Sequence, residues 1–475
     1  MKKTKIICTI GPASSSPKVI EELAEAGMDI IRLNLSHGDY ASREKVIAQV
    51  RALSKKLDRP IGVMVDLQGP KIRVGELKRP ITLKKGETII LTHKPGELEP
   101  TKYTIIPVQE DLRASLRKDD PILINDGKIR IKVERVQGLK VWCSVINGGE
   151  VSTHKGMNLP QSKIRLPIMS PKDEADLRFG LEHDADFIAL SFVRQPQDIL
   201  NLRKLIEKYN PDKYEQPWVI AKIEKPEAVQ NFSKILQLAD AVMVARGDLG
   251  VEIPASEVPL VQKKIIEECL HAAKPSIVAT QMLDSMVDSP TPSRAEVSDV
   301  ATAVVDHADC VMLSQETATG KYPVQSTRMM AKIVEQTEQS PYDDLPHGYL
   351  ADQRDSRAAA VADSAHELSK NMDAKAIVGV TVSGFTARMI SHQRPQNAEI
   401  IMMTQSPKVY RQLSLVWGVR AYIIPRSKTL EDLIRNAIVL AKRRKLVKKG
   451  DKIVVVTGQP VGLRENMNLV EVQTV

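Results

Sequence analysis

The sequence predicts an α/β protein: a (β/α)8 TIM barrel with an inserted all-β domain and a C-terminal open α/β domain. Three observations predict it. Eight apolar runs recur in the first part of the chain, most of them followed by a helical stretch. Continuous apolar strands alternating with helices make a parallel sheet, and eight such units close into a barrel. Residues 70–165 interrupt the alternation, being rich in Lys, Gly and Pro with short β-type runs and little helical pattern. After Glu338 the turn-rich segment QSPYDDLPHGYLADQRD breaks it again, and a further set of strands and helices follows.

In order, the barrel strands read TKIICTIG (4–11), MDIIRLNLSH (28–37), IGVMVDLQG (61–69), DFIALSFV (186–193), WVIAKIE (218–224), AVMVARGD (241–248), SIVATQM (276–282) and CVMLSQET (310–317). The helices between them carry their own punctuation. SPKVIEELAEAG (16–27) has a Ser cap, Pro in the first turn and a closing Gly. The barrel is expected over 1–69 and 166–340, and the inserted all-β domain over 70–165 with strands in ETIILTH, PILINDGKIRIKVERV and KVWCSVING. The C-terminal domain is expected over 350–475, with a helix near 355–371 and strands AIVGVTVS, EIIMMTQ, AYIIPR, DKIVVVTG and LVEVQTV. No internal repeat or low-complexity tract is evident.

Composition narrows the classes. At 475 residues, 42% hydrophobic and 27% charged, the chain has ordinary globular composition with room for two or three cores. Only five Phe, nine Tyr and three Trp are present, so stacking platforms for nucleic acid are scarce. Much of the +9 charge comes from AKRRKLVKK (441–449), read as a solvated helix face. Cys8, Cys143, Cys269 and Cys310 lie far apart without metal or disulfide spacing, which suits a reducing compartment. No apolar run approaches the ~18 residues of a membrane span, and the N-terminus is strand-like rather than a signal peptide. The expectation is a cytoplasmic protein that binds neither nucleic acid nor membrane.

In a barrel, working groups gather where the strands end. The second strand ends with Arg32, Asn34 and Ser36 on one face, the third with Asp66 and the fourth with Ser191. The fifth ends with Lys222 and Glu224, the sixth with Arg246 and Asp248, the seventh with Thr280, and the eighth with Ser314 and Glu316. Residues two apart in a strand share a face, so all are expected to point into one mouth. Glu224 and Asp248 are hard oxygen ligands suited to Mg2+ or Mn2+. Lys222 and Arg32 place positive charge where a phosphoryl group would sit, and phosphoryl transfer is chiefly positioning plus electrostatics. Each feature alone has a plainer reading. K-x-E reads as readily as an ion pair, GDLG as a turn, Thr280 as a hydroxyl satisfied on the backbone, His37 as a turn histidine and Asp126 as a hairpin-turn residue. Their joint appearance at equivalent strand ends favours a site.

The stretches ICTIGPAS (7–14), RLNLSHG (32–38), DLQGPKIRVG (66–75), KIEKPEAV (222–229), MVARGDLGVEIP (243–254), ATQMLDSM (279–286) and MLSQETATGKYP (312–323) resemble pyruvate kinase along essentially the whole chain. The resemblance implies that the inserted all-β domain is a lid and the C-terminal α/β domain regulatory, in a homotetramer that moves the phosphoryl group of phosphoenolpyruvate to ADP, giving ATP and pyruvate in the last step of glycolysis. It implies that Arg32 contacts the transferred phosphoryl group and that Lys222 stabilises its charge and the enolate. Glu224 and Asp248 would hold the divalent metal, with backbone N–H groups at Gly247 and Asp248 receiving the substrate carboxylate. Thr280 would flank the face where the proton arrives, with Ser314 and Glu316 on the same side. Asn34, His37, Arg73 and Asp126 fall where the family meets nucleotide or ions. In TVSGFTAR (381–388), residues Thr381, Ser383, Gly384, Phe385 and Thr386 match the family's effector-phosphate loop, implying activation by a phosphorylated sugar or AMP. TGQPVGLRENMN (457–468) matches the later effector loop only partly.

Three departures stand out. Gln315 replaces a glycine in the family's LSGET, and Gln195 stands where a lysine is frequent. Where potassium-dependent members read DTKGPEIR, this chain reads DLQGPKIR. Lys71 then brings a fixed ammonium to the region of Asn34, Ser36, Asp66 and Leu67, and potassium is expected not to be required. Two rival readings remain: a metal-dependent barrel aldolase or lyase acting on a 2-oxo acid enolate, and a non-catalytic scaffold or RNA-binding protein.

Overall fold

A computed structural model describes residues 2–36, 38–99, 101–125, 127–160, 162, 167–213, 215–345, 356–427, 429–460 and 463–475. The strands in chain order begin with β1 (Lys5–Thr9), β2 (Ile30–Asn34) and β3 (Gly62–Leu67). There follow β4 (Ile81–Leu83), β5 (Thr88–Thr92), β6 (Thr104–Pro107), β7 (Pro121–Ile124), β8 (Ile129–Gln137), β9 (Lys140–Asn147), β10 (Gly149–Val151) and β11 (Met157–Asn158). Then come β12 (Phe187–Leu190), β13 (Trp218–Ile223), β14 (Ala241–Ala245), β15 (Ser276–Ala279) and β16 (Cys310–Leu313). The chain finishes with β17 (Ala376–Val380), β18 (Glu399–Thr404), β19 (Val419–Ile423), β20 (Lys452–Thr457) and β21 (Leu469–Thr474).

The eight expected strands close as a parallel barrel in the order β1-β16-β15-β14-β13-β12-β3-β2. The insertion builds a six-stranded sheet, β11-β7-β8-β9-β5-β6, and a two-stranded one, β10-β4. The C-terminal sheet runs β19-β18-β17-β20-β21, parallel except for β21. The barrel strands stop earlier than the apolar runs suggest. Glu224 follows β13, Asp248 lies on a short helix (Arg246–Glu252), and Glu316 lies on another (Gln315–Ala318). Glu224 and Glu316 accept loop amides there instead of continuing the ladder.

The period of two along each barrel strand sets the site. Ile7, Ile30, Met64, Ala189, Ile220, Met243, Ile277 and Met312 fill the interior as one apolar cluster. That cluster continues into Trp417, Leu413 and Ile377 of the C-terminal domain, which therefore plugs the foot of the barrel. Two residues further along the same faces come Thr9, Arg32, Asp66, Ser191 and Lys222. The inward face is thus apolar at the foot and charged at the mouth.

At the foot, the residue before β2, β12, β14 and β16 is in each case an aspartate. Asp29, Asp186, Asp240 and Asp309 accept the backbone N–H groups of Ile6, Val63, Val219 and Ser276 at 2.9, 2.8, 2.8 and 2.9 Å. Each carboxylate also holds a cation: Lys2 and Arg59, Arg51 and Arg411, Arg203, and Arg394, respectively. The aspartate at these strand starts is a recurring local feature. MDII, ADFI, ADAV and ADCV are its four sequence traces.

The AKRRKLVKK run is not one solvated face. Its helix (Leu430–Arg443) ends inside the run, Leu446 and Val447 are buried, and Arg444 pairs with Asp58 of the barrel. All four cysteines are free and buried. Among the described residues no helix is long and apolar enough to cross a membrane.

Candidate active site

Lys222 stands at the centre of the mouth. Its Nζ donates to Ser191 Oγ at 2.7 Å and lies 3.2 Å from Asp66 Oδ1 and 3.0 Å from Glu224 Oε1. Asp66 in turn takes Arg32 Nε at 2.7 Å, while Arg32 Nη1 donates to Thr9 Oγ1 at 3.0 Å. Each pair follows from parallel register: Arg32 lies beside Met64 on β3, two residues short of Asp66, and Ala189 of β12 lies directly beside Asp66. A buried charge needs a partner and further hydrogen bonds, and this chain of groups supplies both.

The electrostatics follow. Burial pulls the Lys222 pKa down, but Asp66 and Glu224 outweigh it, so the ammonium is held above its usual range. Burial pushes Asp66 up, yet Lys222 and Arg32 bring it below the usual carboxylate range. Glu224 goes the other way: burial raises it, Lys222 opposes, and the nearby Asp248 raises it further. A buried carboxylate repelled by a second one is a donor set that a divalent cation would relieve. Glu224 Oε2 accepts the Phe192 N–H at 2.8 Å, which fixes its orientation. Among the described residues no group of three or more His, Cys, Asp or Glu side chains forms a metal cluster. Two carboxylates fit Mg2+ or Mn2+ only if substrate and water oxygens complete the shell, as is usual for magnesium.

Thr280 is backbone-strained, at φ 70°, followed by Gln281 at φ 54°. For a β-branched residue this is a genuine outlier of the kind found at working sites. Three bonds hold it: its Oγ1 accepts the Gly247 N–H at 2.7 Å and donates to Ala279 O at 2.6 Å, and its own C=O accepts Arg246 Nη2 at 2.7 Å. Arg246 therefore does not point into the mouth; it also pairs with Asp299 at 2.7 Å and braces the loop after β15.

Other expected site residues fall into place unevenly. Asn34 Oδ1 accepts the Ser36 N–H at 3.1 Å, closing a turn at the end of β2. Leu67 is corrected: the period of two that turns Asp66 inward turns Leu67 outward, into the core beneath the helices. Lys71 Nζ lies 4.0 Å from Asp248 Oδ1, whereas Asp66 is occupied by Arg32 and Lys222. Arg73 donates to His154 O at 3.0 Å within the lid. Glu316 is buried and accepts the Leu283 and Ser314 N–H groups at 3.1 and 2.7 Å, clamping the two loops. Burial pushes its carboxyl up. Ser314 Oγ is buried and has no hydrogen-bond partner among the described residues. Gln315 starts a helix and is not among the residues at positive φ, so the lost glycine costs no strain there. Gln195 caps the helix Pro196–Tyr209 together with Asp198. His37 and Asp126 lie outside the described residues.

In the C-terminal loop, Thr381 Oγ1 accepts the Gly384 N–H at 3.0 Å, and Gly384 sits at φ 83°. Thr386 is buried and Ser383 half-buried, with Phe385 opening the helix Phe385–Ser391. Sequence reasoning missed Lys225, Glu252 and Asn158, which meet beside Glu224. The adjacency of Lys225 to Glu224 in KIEKPE was the only signal.

Known proteins resemble this chain along its length. The family model described as pyruvate kinase, barrel domain, matches residues 1–327, and that described as pyruvate kinase, alpha/beta domain, matches 359–473. A pyruvate kinase of Geobacillus stearothermophilus is 42% identical, the match covering 100% of this chain and 80% of the relative. One of Staphylococcus epidermidis is 40% identical, covering 100% and 81%. The crystal structure of a pyruvate kinase from Cryptosporidium parvum superposes with a TM-score of 0.90 at 36% identity, covering 100% of this chain and 96% of that one.

Proposed function

Because the chain belongs to the pyruvate kinase family and is a phosphotransferase, we propose that it moves the phosphoryl group of phosphoenolpyruvate to ADP with Lys222, Arg32, Glu224, Asp248 and Thr280 as its working residues. The observation that carries this is the Lys222 ammonium, buried yet placed at the open end of the barrel among Asp66, Glu224 and Ser191. Glu224 and Asp248 would hold Mg2+ or Mn2+, which would neutralise charge on the phosphoryl and carboxylate oxygens of the substrate. Lys222 keeps its proton and faces the oxygens where negative charge develops. Arg32, fixed by Asp66 and Thr9, orients the phosphoryl group. Thr280, held at its strained φ, keeps the Gly247 turn in the shape that receives the substrate carboxylate. A coupled assay of ATP formation from phosphoenolpyruvate and ADP tests the reading. Lys222→Met should lower turnover at least ~10²-fold without unfolding the protein; near-normal turnover would sink it.

Two finer readings belong to the same proposal. Potassium is not required, because Lys71 supplies a fixed ammonium at the rim, at Asp248 rather than at Asp66. Activity in tetramethylammonium buffer equal to that in potassium buffer is expected, with potassium dependence appearing in Lys71→Glu. A phosphorylated sugar or AMP binds at Thr381–Thr386 and lowers the KM for phosphoenolpyruvate. What supports this is contact: a Cβ on Gly384 would lie 2.8 Å from the Trp218 ring, and Arg388 stacks 5.1 Å over it. Trp218 opens β13, which presents Lys222 near its far end and is followed by Glu224. Titrating sugar phosphates and AMP against the substrate curve decides it, and a curve unmoved by all of them ends the idea.

A further inference from the structure

The seven-residue helix Arg246–Glu252 starts with the turn bearing Gly247 and Asp248, and its last residue is Glu252. The Glu252 side chain is 0% exposed, and its Oε1 accepts Lys225 Nζ at 2.5 Å. The same oxygen accepts Asn158 Nδ2 at 2.8 Å, from the last strand of the inserted domain, while Oε2 is buried with no partner among the described residues. Lys225 follows Glu224 directly and sits 5.9 Å from the Phe192 ring centroid, and Phe192 N–H holds Glu224. The lid reaches this helix elsewhere too: Lys71 faces Asp248, and a Cβ on Gly127 would lie 3.9 Å from Val251 Cγ1.

An ion pair out of water is rarely the most stable filling for such a space; apolar side chains of similar size do as well or better. A carboxylate fixed by a buried lysine does offer something they cannot, a strong acceptor aimed at the lid. The Asn158 bond exists only while the lid rests in this pose. Were the inserted domain to lift, water would satisfy Asn158, whereas Glu252, still paired with Lys225, would lose a donor.

We propose that the Lys225–Glu252 pair is a seat for Asn158 that couples lid position to the loop carrying Gly247 and Asp248, so that Asn158, Lys225 and Glu252 are positioning residues for phosphoryl transfer. The kinetic consequence rests on the function proposed above; the coupling itself does not. A hydrogen bond to a buried charged group is worth about tenfold or more in an equilibrium.

The test combines kinetics with hydrogen–deuterium exchange of the full-length protein. Asn158→Asp sets two carboxylates against each other and should unseat the lid. Its kcat should fall about tenfold, with the KM for phosphoenolpyruvate changed less than about threefold. Amides of residues 246–252 should exchange about tenfold faster while those of the barrel strands stay unchanged. Adding Glu252→Gln restores a donor–acceptor pair of reversed polarity and should recover most of both losses. Asn158→Ala, at a half-buried strand end that tolerates truncation, should show the exchange change even if the double variant folds poorly. Exchange and kcat both within twofold of the parent in Asn158→Asp, or a double variant no better than that single one, would overturn the proposal. If the parent makes no ATP, the functional reading fails, and the exchange result still decides the coupling.

Discussion

Arg411 Nε donates to Asp186 Oδ1 at 2.7 Å, joining the C-terminal domain to the foot of the barrel. The aspartate is fully buried, and Arg51 holds its other oxygen at 2.8 Å. Removing one partner of a buried pair leaves charge uncompensated, which costs several kcal/mol. Arg411→Met should therefore destabilise the protein by about 2–3 kcal/mol, Arg51 carrying the remainder. A thermal melt checks this; a Tm within a degree of the parent would show that Arg51 suffices.

Glu224→Gln removes a charge at the mouth with almost no change of shape. The Phe192 N–H keeps an acceptor and Lys222 keeps Asp66 and Ser191, so folding should survive. Turnover should collapse ~10²-fold or more, because an electrostatic group at the reacting centre has gone. Turnover near normal at low Mg2+ would remove Glu224 from the metal site.

Asp343 offers a pH test. Burial, then the like charge of Glu338, pushes its carboxyl up to about 6, while Arg394 opposes. The unfolded carboxyl titrates near ~3.9. The folded state thus binds a proton more tightly, so the group's stabilisation is full below about 4 and lost as pH rises through about 6. Asp343→Asn stays neutral throughout and can still accept from Gln396, the parent bond being 3.2 Å. It should raise Tm at pH 7.5 and match the parent at pH 4. Equal Tm values at both pH values would refute the assignment.

Gly384 has both a positive φ of 83° and a ring against it, a Cβ there lying 2.8 Å from Trp218. Gly384→Ala should cost roughly 2 kcal/mol through strain and overpacking. If β13 links this loop to the mouth, the KM for phosphoenolpyruvate should rise as well. Loss of stability with an unchanged KM would separate the loop from the active site.

The barrel, the inserted β domain and the C-terminal sheet were legible because their signals are local: runs of apolar residues, punctuated helices and a stretch lacking helical period. The mouth was legible for the same reason. A period of two puts Lys222 on the face of Ile220 and Asp66 on the face of Met64, so charges at strand ends declare their direction without knowing the neighbours. What tertiary structure decided is who meets whom. Arg246 reads as a strand-end charge like Arg32, yet it turns to Asp299, 53 residues on, because its strand has already given way to a helix. Glu316 reads as a carboxylate at the mouth, and only the folded chain shows it accepting two loop amides. Lys71 meets Asp248 rather than Asp66 because Arg32 and Lys222 already fill the latter. Glu252 gains its role only where Lys225, 27 residues earlier, and Asn158, 94 residues earlier, converge on one oxygen. Periodicity fixes which way a side chain points, whereas its partner depends on how the closed sheet and the inserted domain bring distant segments together.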